Sequence, residues 1–314
     1  MLSRGIPYLF LAFVAVCLSY AFSHRSGPPL PETTIRIDST MIMGATSTNS
    51  HEFAVGERGR IFRREAGNTE WTAVATPTES SLTNIRFAND KLGLAVGHDQ
   101  IILRTTDGGS TWAQVNIDIE AETPLFDAVF VTPDYAIAVG AYGLYMDSRD
   151  GGQTWQSRLI SELDWHHNAI QKLSETTLII AGEAGTVLRS EDAGESWSIV
   201  PVSYQGSYFG AQALSENQVL IFGMRGHVLR SEDAGQTFAE ITHEGQSSMF
   251  SSCACADGKL RLVGQNGTVM TSSDNGLTFT VSQLEGSPML AGVLVSGDTL
   301  VALGQGGEHP AKLN

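Results

Sequence analysis

The sequence predicts an all-β fold, a seven-bladed β-propeller, and three observations carry that expectation. The string Val-Gly-x-x-Gly, or a close variant, recurs at Gly56, Gly97, Gly140, Gly182, Gly223, Gly264 and Gly304, at spacings of 41, 43, 42, 41, 41 and 40 residues. Self-similarity at such a period marks a propeller or a solenoid array. Within each unit, four short segments rich in β-branched and aromatic residues are punctuated by Gly, Asp and Ser, and no stretch after the N-terminal segment keeps a helical apolar period. A unit of four antiparallel strands cannot bury both faces alone, so it must stack on its neighbours as a propeller blade.

Composition agrees. The chain has 314 residues, room for two average domains or one large all-β domain. Charged residues are 17% and glycines number 33, a profile of many turns that excludes coiled coil, collagen and disorder. The net charge of −15 excludes binding to a phosphate backbone, which requires a positive field.

In chain order, residues 1–23 read as a signal peptide or N-terminal membrane anchor: Arg4, an apolar run over 6–18, then Ser19-Tyr20-Ala21 as a cleavage site. The run up to Phe22 is close to the lower limit for a membrane span, so cleavage and anchoring both stay open. Cys17 invites a lipoprotein reading, but Val16 precedes it where such sites take a small residue. Residues 24–32 form a Pro-rich linker, and 33–314 the propeller. The body is therefore expected outside the cytoplasm, in the periplasm, free or tethered to the inner membrane.

In the second unit the four expected strands are 84–88, 93–96, 101–104 and 111–115. The seventh unit shows inner strands at 289–295 and 299–303, with no outer strand to follow; the extended segment 34–37 is expected to pair into that last blade and close the ring. Cys253 and Cys255 stand two apart on one face of a strand, where a disulfide would be strained, and read as two small buried side chains.

Between the third and fourth strands lies [ST]-x-D-x-G-x-[TS]-[WF], five times: Asp107, Gly109 and Trp112; Asp150, Gly152 and Trp155; Asp192, Gly194 and Trp197; Asp233, Gly235 and Phe238; Asp274, Gly276 and Phe279. The carboxylate can accept backbone N–H bonds inside a hairpin turn, and the glycine can take positive φ. The aromatic is expected to pack between sheets. Unit one keeps Trp71 but has Ala66 and Asn68 where Asp and Gly belong. Five equivalent carboxylates around a ring cannot share one active site, so their role is structural, with neither metal nor catalysis.

These residues resemble the Asp-box, or BNR, repeat. With V-G-x-x-G-x-[LIV] ahead of it, the chain resembles, over roughly residues 34–307, the photosystem II assembly and stability factor family of chloroplasts and cyanobacteria and its relatives in non-photosynthetic bacteria. The resemblance implies an exported propeller, without enzymatic activity or cofactor, that binds membrane-protein subunits during assembly. In photosynthetic members it implies an arginine-rich surface; here Arg58, Arg60, Arg63 and Arg64 cluster in unit one, on strand positions that alternate between faces.

A partner-binding rim is expected where the loops between second and third strands meet those leading into each blade. The first set offers Arg58, His98, Asp99, Tyr142, Glu183, Arg225 and His227; the second offers Asp164, Trp165, His166, His167, Tyr204, Tyr208 and Phe250. Arg, Trp and Tyr are the residue types of interface hot spots, and Trp165 is the foremost candidate. His166 and His167 are adjacent in an extended chain and point opposite ways, so they are not expected to hold one metal ion. The expected partner is a membrane protein or its soluble domain, an assembly client or a transporter, with peripheral or anchored membrane contact. The competing readings are a glycan-binding propeller and a sialidase-type glycosidase; the second lacks the F/Y-R-I-P segment and any recognisable acid–base spacing.

Overall fold

The computed structural model describes residues 6–22, 34–115, 122–255, 257–296 and 299–312. They fall into two compact units, Met1–Thr34 and Ile35–Asn314. In the first, the apolar run forms a helix over Ile6–Ala21, about 24 Å long at ~1.5 Å per residue. Among the described residues no helix is long and apolar enough to cross a membrane.

In the second unit the described strands form seven antiparallel sheets in chain order. Six have four strands, over residues 42–74, 82–114, 125–157, 167–199, 208–240 and 249–283; the seventh has three, over 290–312. Blade 2 shows the agreement with expectation: its strands are Leu82–Phe87, Gly93–Gly97, Ile102–Thr105 and Ala113–Gln114.

The repeated glycine has a single cause. Each inner strand begins with a bulge opposite that glycine, pairing Ile42 with Gly56, Leu125 with Gly140 and His167 with Gly182. The carbonyl just before the strand then accepts the N–H that follows the glycine, as in Glu57 N–H to Met41 O at 3.1 Å and Met224 N–H to Ser207 O at 2.8 Å. All seven units make this bond. A Cβ on any of the seven glycines would overlap that same carbonyl oxygen, so side chains are excluded by close approach.

Seven apolar clusters, one per junction, hold the blades together. Phe53, Val55 and Ile61 of blade 1 meet Leu82, Ile85 and Leu103 of blade 2; at the opposite end of the chain, Val263 and Val269 of blade 6 meet Leu290 and Val293 of blade 7. Each Asp-box aromatic packs into the junction with the preceding blade: Trp112, Trp155, Trp197, Phe238 and Phe279 each join such a cluster, as expected. Arginines reinforce these joints from the third strands. Arg104, Arg189 and Arg230 donate through Nε to the box carbonyls of Gly151, Ala234 and Asn275 in the following blade, at 2.7, 2.6 and 3.2 Å. In blade 3 that position is Asp147, and Arg158 instead reaches Gly194 O at 2.6 Å.

The Asp-box turns are closed on themselves. In all five, the buried Ser or Thr hydroxyl donates to Asp Oδ1 and accepts the glycine N–H, as in Ser190 Oγ to Asp192 at 2.8 Å and Gly194 N–H to Ser190 Oγ at 2.8 Å. The backbone N–H and hydroxyl of the following Thr or Ser bind the same carboxylate. Hydrogen bonds to the charged form hold all five aspartates down at a pKa of about 2. Gly152, Gly194 and Gly235 take φ of 83°, 89° and 80°, and a Cβ there would press on Leu94, Tyr145 or Ile179 of the blade before.

Two expectations need correction. First, residues 34–37 do not form a strand: 34–36 lie outside regular structure and Ile37–Ser39 is a 3-10 turn. The last blade makes its third strand from its own tail, Gly307–Lys312, through the two-residue turn Gln305-Gly306. Gly306 and Gly307, at φ 77° and 84°, make that reversal possible, a turn that copies no other unit of the repeat. The ring closes by packing of Ile42, Ala54 and Phe62 on Leu294, Val301 and Leu303. Polar contacts tie the same seam: Arg64 bridges Glu52 at 2.5 Å and Glu308 at 3.1 Å, and Trp71 Nε1–H donates to Glu308 at 2.6 Å. Second, Cys253 and Cys255 are joined as a disulfide with Cα atoms 5.2 Å apart. The inner strand of blade 6 ends at Ala254, so Cys255 is released from extended geometry and turns back, both residues staying half-exposed.

Among the described residues no strand pairs with the outer edge of Gly307–Lys312. The two-residue turn makes Gly304 and Gly307 a hydrogen-bonded pair, so alternation along the strand puts Pro310, opposite Val301, at a non-bonded position with its nitrogen toward the open edge. Proline has no N–H to offer, so this edge is blunted.

Candidate functional site

The bulge at the start of every inner strand decides which side chains see the channel. The residue opposite the motif glycine turns into an inter-blade core; the next one turns to the axis. His167 and Tyr208 occupy the first position, with 1% and 0% exposure, so neither belongs to the rim, contrary to expectation. Burial holds His167 neutral, with its pKa lowered to about 4. Tyr208 packs in the blade 4–5 core, and its hydroxyl donates to Tyr204 O at 3.1 Å.

The remaining candidates lie on the face of the ring where the inner strands begin, and three of them share one turn conformation. Arg58, Tyr142 and Arg225 each sit at the tip of a 3-10 turn, with φ of 56°, 54° and 56°. That strained geometry, completed by the glycine that follows, aims them into solvent; Tyr142 is 70% exposed. In blade 2 the turn differs: Asp99 and Gln100 both take positive φ, Asp99 accepts from Ser80 Oγ at 2.7 Å, and His98 is exposed.

Two groups form. In the first, His166 is the hub. Its Nδ1 accepts from Tyr142 N–H at 3.1 Å and lies 3.7 Å from Glu183, and its ring meets Tyr142 and Phe126 edge-on at 4.9 and 5.9 Å. Trp165, 41% exposed, is anchored by its carbonyl, which accepts Gly143 N–H at 3.0 Å. In the second, Tyr204 stacks on His227 at 3.5 Å, and His227 Nδ1 bonds Glu240. Of the four clustered arginines, Arg58 alone is free at the rim. Arg60 donates to Thr40 Oγ1, Arg63 to Ser110 Oγ, and Arg64 is buried at the seam.

Inside the mouth lies a channel cavity of about 340 Å³. Where the inner strands begin its lining includes Met41, Phe126, Phe209, Phe250 and Met289; the rest mixes amide and hydroxyl groups with small and apolar residues. Asp127, 2% exposed, ties three blades together there. Its carboxylate accepts from Asn84 Nδ2 at 2.8 Å, Arg86 Nε at 3.1 Å and Ile170 N–H at 3.1 Å. Except for Phe250, which the blade-entrance loops had pointed to, these channel residues escaped the sequence reading. They could have been found by aligning the repeats on the residue after the bulge, a column that reads Met43, Thr83, Phe126, Asn168, Phe209, Phe250 and Ala291.

Comparison with known proteins agrees with this architecture. A family model described as "Photosynthesis system II assembly factor YCF48" matches residues 63–124 and 114–260. A protein named photosystem II assembly lipoprotein Ycf48 from Prochlorococcus marinus is 41% identical over 132 residues, which cover 41% of this chain and 39% of that protein. Its namesake from Nostoc sp. is 40% identical over 129 residues, covering 40% and 38%. The matched segments thus span about two fifths of those relatives. Among solved structures, YCF48 bound to D1 peptide superposes with a TM-score of 0.70 at 16% identity, covering 92% of this chain and 100% of that one. YCF48 from Cyanidioschyzon merolae gives 0.70 at 15%, covering 91% and 97%. At that identity these two establish the shared fold. With the family model covering well over half the residues, the chain belongs to the photosynthesis system II assembly factor YCF48 family.

Proposed function

We propose that the protein is an exported, non-catalytic assembly or accessory factor that docks a membrane protein, or its soluble domain, on the face of the ring bearing the V-G-x-x-G loops. The observation that carries this reading is the group Tyr142, Trp165, His166 and Phe126: exposed or half-exposed aromatic and imidazole rings held by backbone bonds on a rigid scaffold. Such rings bind at low entropic cost because they are already fixed. The relatives' names supply the class of client, and a structural neighbour was solved with a peptide of one. Residues 1–23 would carry the chain across the membrane and either be removed or stay as an anchor. The Asp-box carboxylates are spent on their own turns, which supports a role without catalysis.

The test is photo-crosslinking in cells from positions 58 and 165, followed by identification of the adduct. A membrane-protein adduct at both positions is expected, and Tyr142→Ala should lower its yield several-fold. Recovery of no adduct from either position would overturn the reading.

A further inference from the structure

We infer that the central channel is itself a binding site, taking an apolar side chain from an extended, otherwise uncharged stretch of a partner polypeptide flanked by basic residues. The inference rests on the docking reading above and specifies what enters the ring. Met41, Phe126, Phe209, Phe250 and Met289, from five different blades, converge on the mouth of the cavity and remain partly or largely exposed. None belongs to a buried inter-blade cluster, and although Phe209 meets Phe250 at 5.3 Å and Phe126 meets His166, part of each side chain stays open to the channel. Apolar surface left open to water gains free energy when a partner covers it.

Shape selects the occupant. Large apolar side chains from five blades converge on one axis, which suits an inserted knob; a sugar ring would need a flat stacking face. At about 340 Å³ the cavity is at the lower end of ligand pockets, about 300–1,000 Å³, enough for one or two side chains. Further along the inner strands, Gln171 and Gln212 each bond one carbonyl through Nε2 and keep a second amide N–H for a peptide backbone, and Ser252, whose hydroxyl donates to Gln212, keeps acceptor capacity.

Charge narrows it further. Of the lining residues, the ionisable ones are Arg86 and Asp127, and they neutralise each other at 3.0 Å. A carboxylate or ammonium driven into the channel would find no counter-charge to offset its desolvation. Outside, Glu57, Asp99, Asp164 and Glu183 stand on the loops against Arg58, Arg225 and Arg60, which pairs with Glu57 at 4.0 Å, within a chain of net charge −15. Lysine or arginine on either side of the anchor is the complementary arrangement.

Three fluorescein-labelled octapeptides test this by anisotropy with the full chain at low salt. One has two lysines at each end and Phe-Leu at its centre; one keeps the lysines with Ser-Ser at the centre; one keeps Phe-Leu between glutamates. The first is expected to bind at least tenfold tighter than either other. Phe250→Asp and, separately, Met289→Glu should each weaken it at least tenfold. Met289 is 40% exposed, so its variant keeps the fold even if the other does not. Equal binding of the Ser-Ser peptide, indifference to Met289→Glu, or no binding of the first peptide at millimolar concentration would overturn the inference. Should Met289→Glu leave the cellular adduct from position 165 intact while the peptides fail, the channel anchor is wrong and rim docking stands.

Discussion

Blades 2 to 6 and the seam between blades 7 and 1 solve the same mechanical problem with different chemistry. In the five regular blades a buried hydroxyl, at Thr105, Ser148, Ser190, Ser231 or Ser272, closes each outer turn on its own aspartate. Blade 1 has Arg64 at that position, and the turn has lost its aspartate and glycine. The guanidinium is as buried as the hydroxyls it replaces, but its partners are Glu52 beside it and Glu308 across the seam. It also lies 4.2 Å over the ring of Trp71. Local turn chemistry has given way to a long-range clasp at the one junction where the chain's two ends must meet. The lesson is that a repeat protein needs unique residues where its symmetry breaks.

That contrast can be broken experimentally. Arg64→Ala should have the largest effect, about 3–5 kcal/mol, because it leaves Glu52 buried without a cation. Chemical denaturation would measure it, and the double variant Arg64→Met with Glu52→Leu should recover most of the loss. Next comes His167, which stands where the other blades have Ile42, Leu82, Leu125, Tyr208, Met249 and Leu290. Its pKa is near 4 when folded and 6.5 when exposed, so the unfolded chain takes up the proton first as pH falls. Stability should be full above pH 6.5 and drop by about 3 kcal/mol on the way to pH 4. His167→Leu should remove most of that slope in melts recorded between those pH values, leaving a smaller one from His51 and His243, which burial also lowers. The five Asp-box carboxylates, held near 2, add a separate loss below pH 4 that this variant leaves in place.

Gly182→Ala forces a Cβ onto the His166 carbonyl oxygen and should cost about 1–3 kcal/mol. Gly304→Ala, which meets Met289 O in the same way, should cost the same within error of a thermal melt. A much larger loss at Gly304 would mean that the seam depends on the bulge as well as on the clasp. Smallest is Asp233→Ala, at about 1 kcal/mol, comparable to a lost helix cap, since only one of five independent turns opens. A loss several times larger would show that the turns act cooperatively around the ring.

The ring was legible in the sequence because each blade repeats its own local instructions: a glycine where a carbonyl approaches, a carboxylate where a turn needs an acceptor. The candidate site was only half legible. Tyr142, Trp165 and His166 stand where loop position placed them, and Arg58 proved to be the exposed member of its cluster. His167 and Tyr208 went astray because one bulge residue inverts the inside–outside alternation, and periodicity cannot show a bulge. The Gly307–Lys312 strand and the Arg64–Glu308 clasp were hidden for another reason. They pair residues some 240 positions apart, or close on a turn that copies no other unit.

The tail strand of blade 7 has a further consequence. Open sheets invite strangers: a second molecule, or a fraying strand of the same one, can zip onto any row of free amide hydrogens. Pro310 removes one rung from that ladder midway along the strand. A second copy that tried to extend this sheet would meet a missing rung there, so the one blade built from the chain's own tail carries its own interruption against edge-to-edge growth.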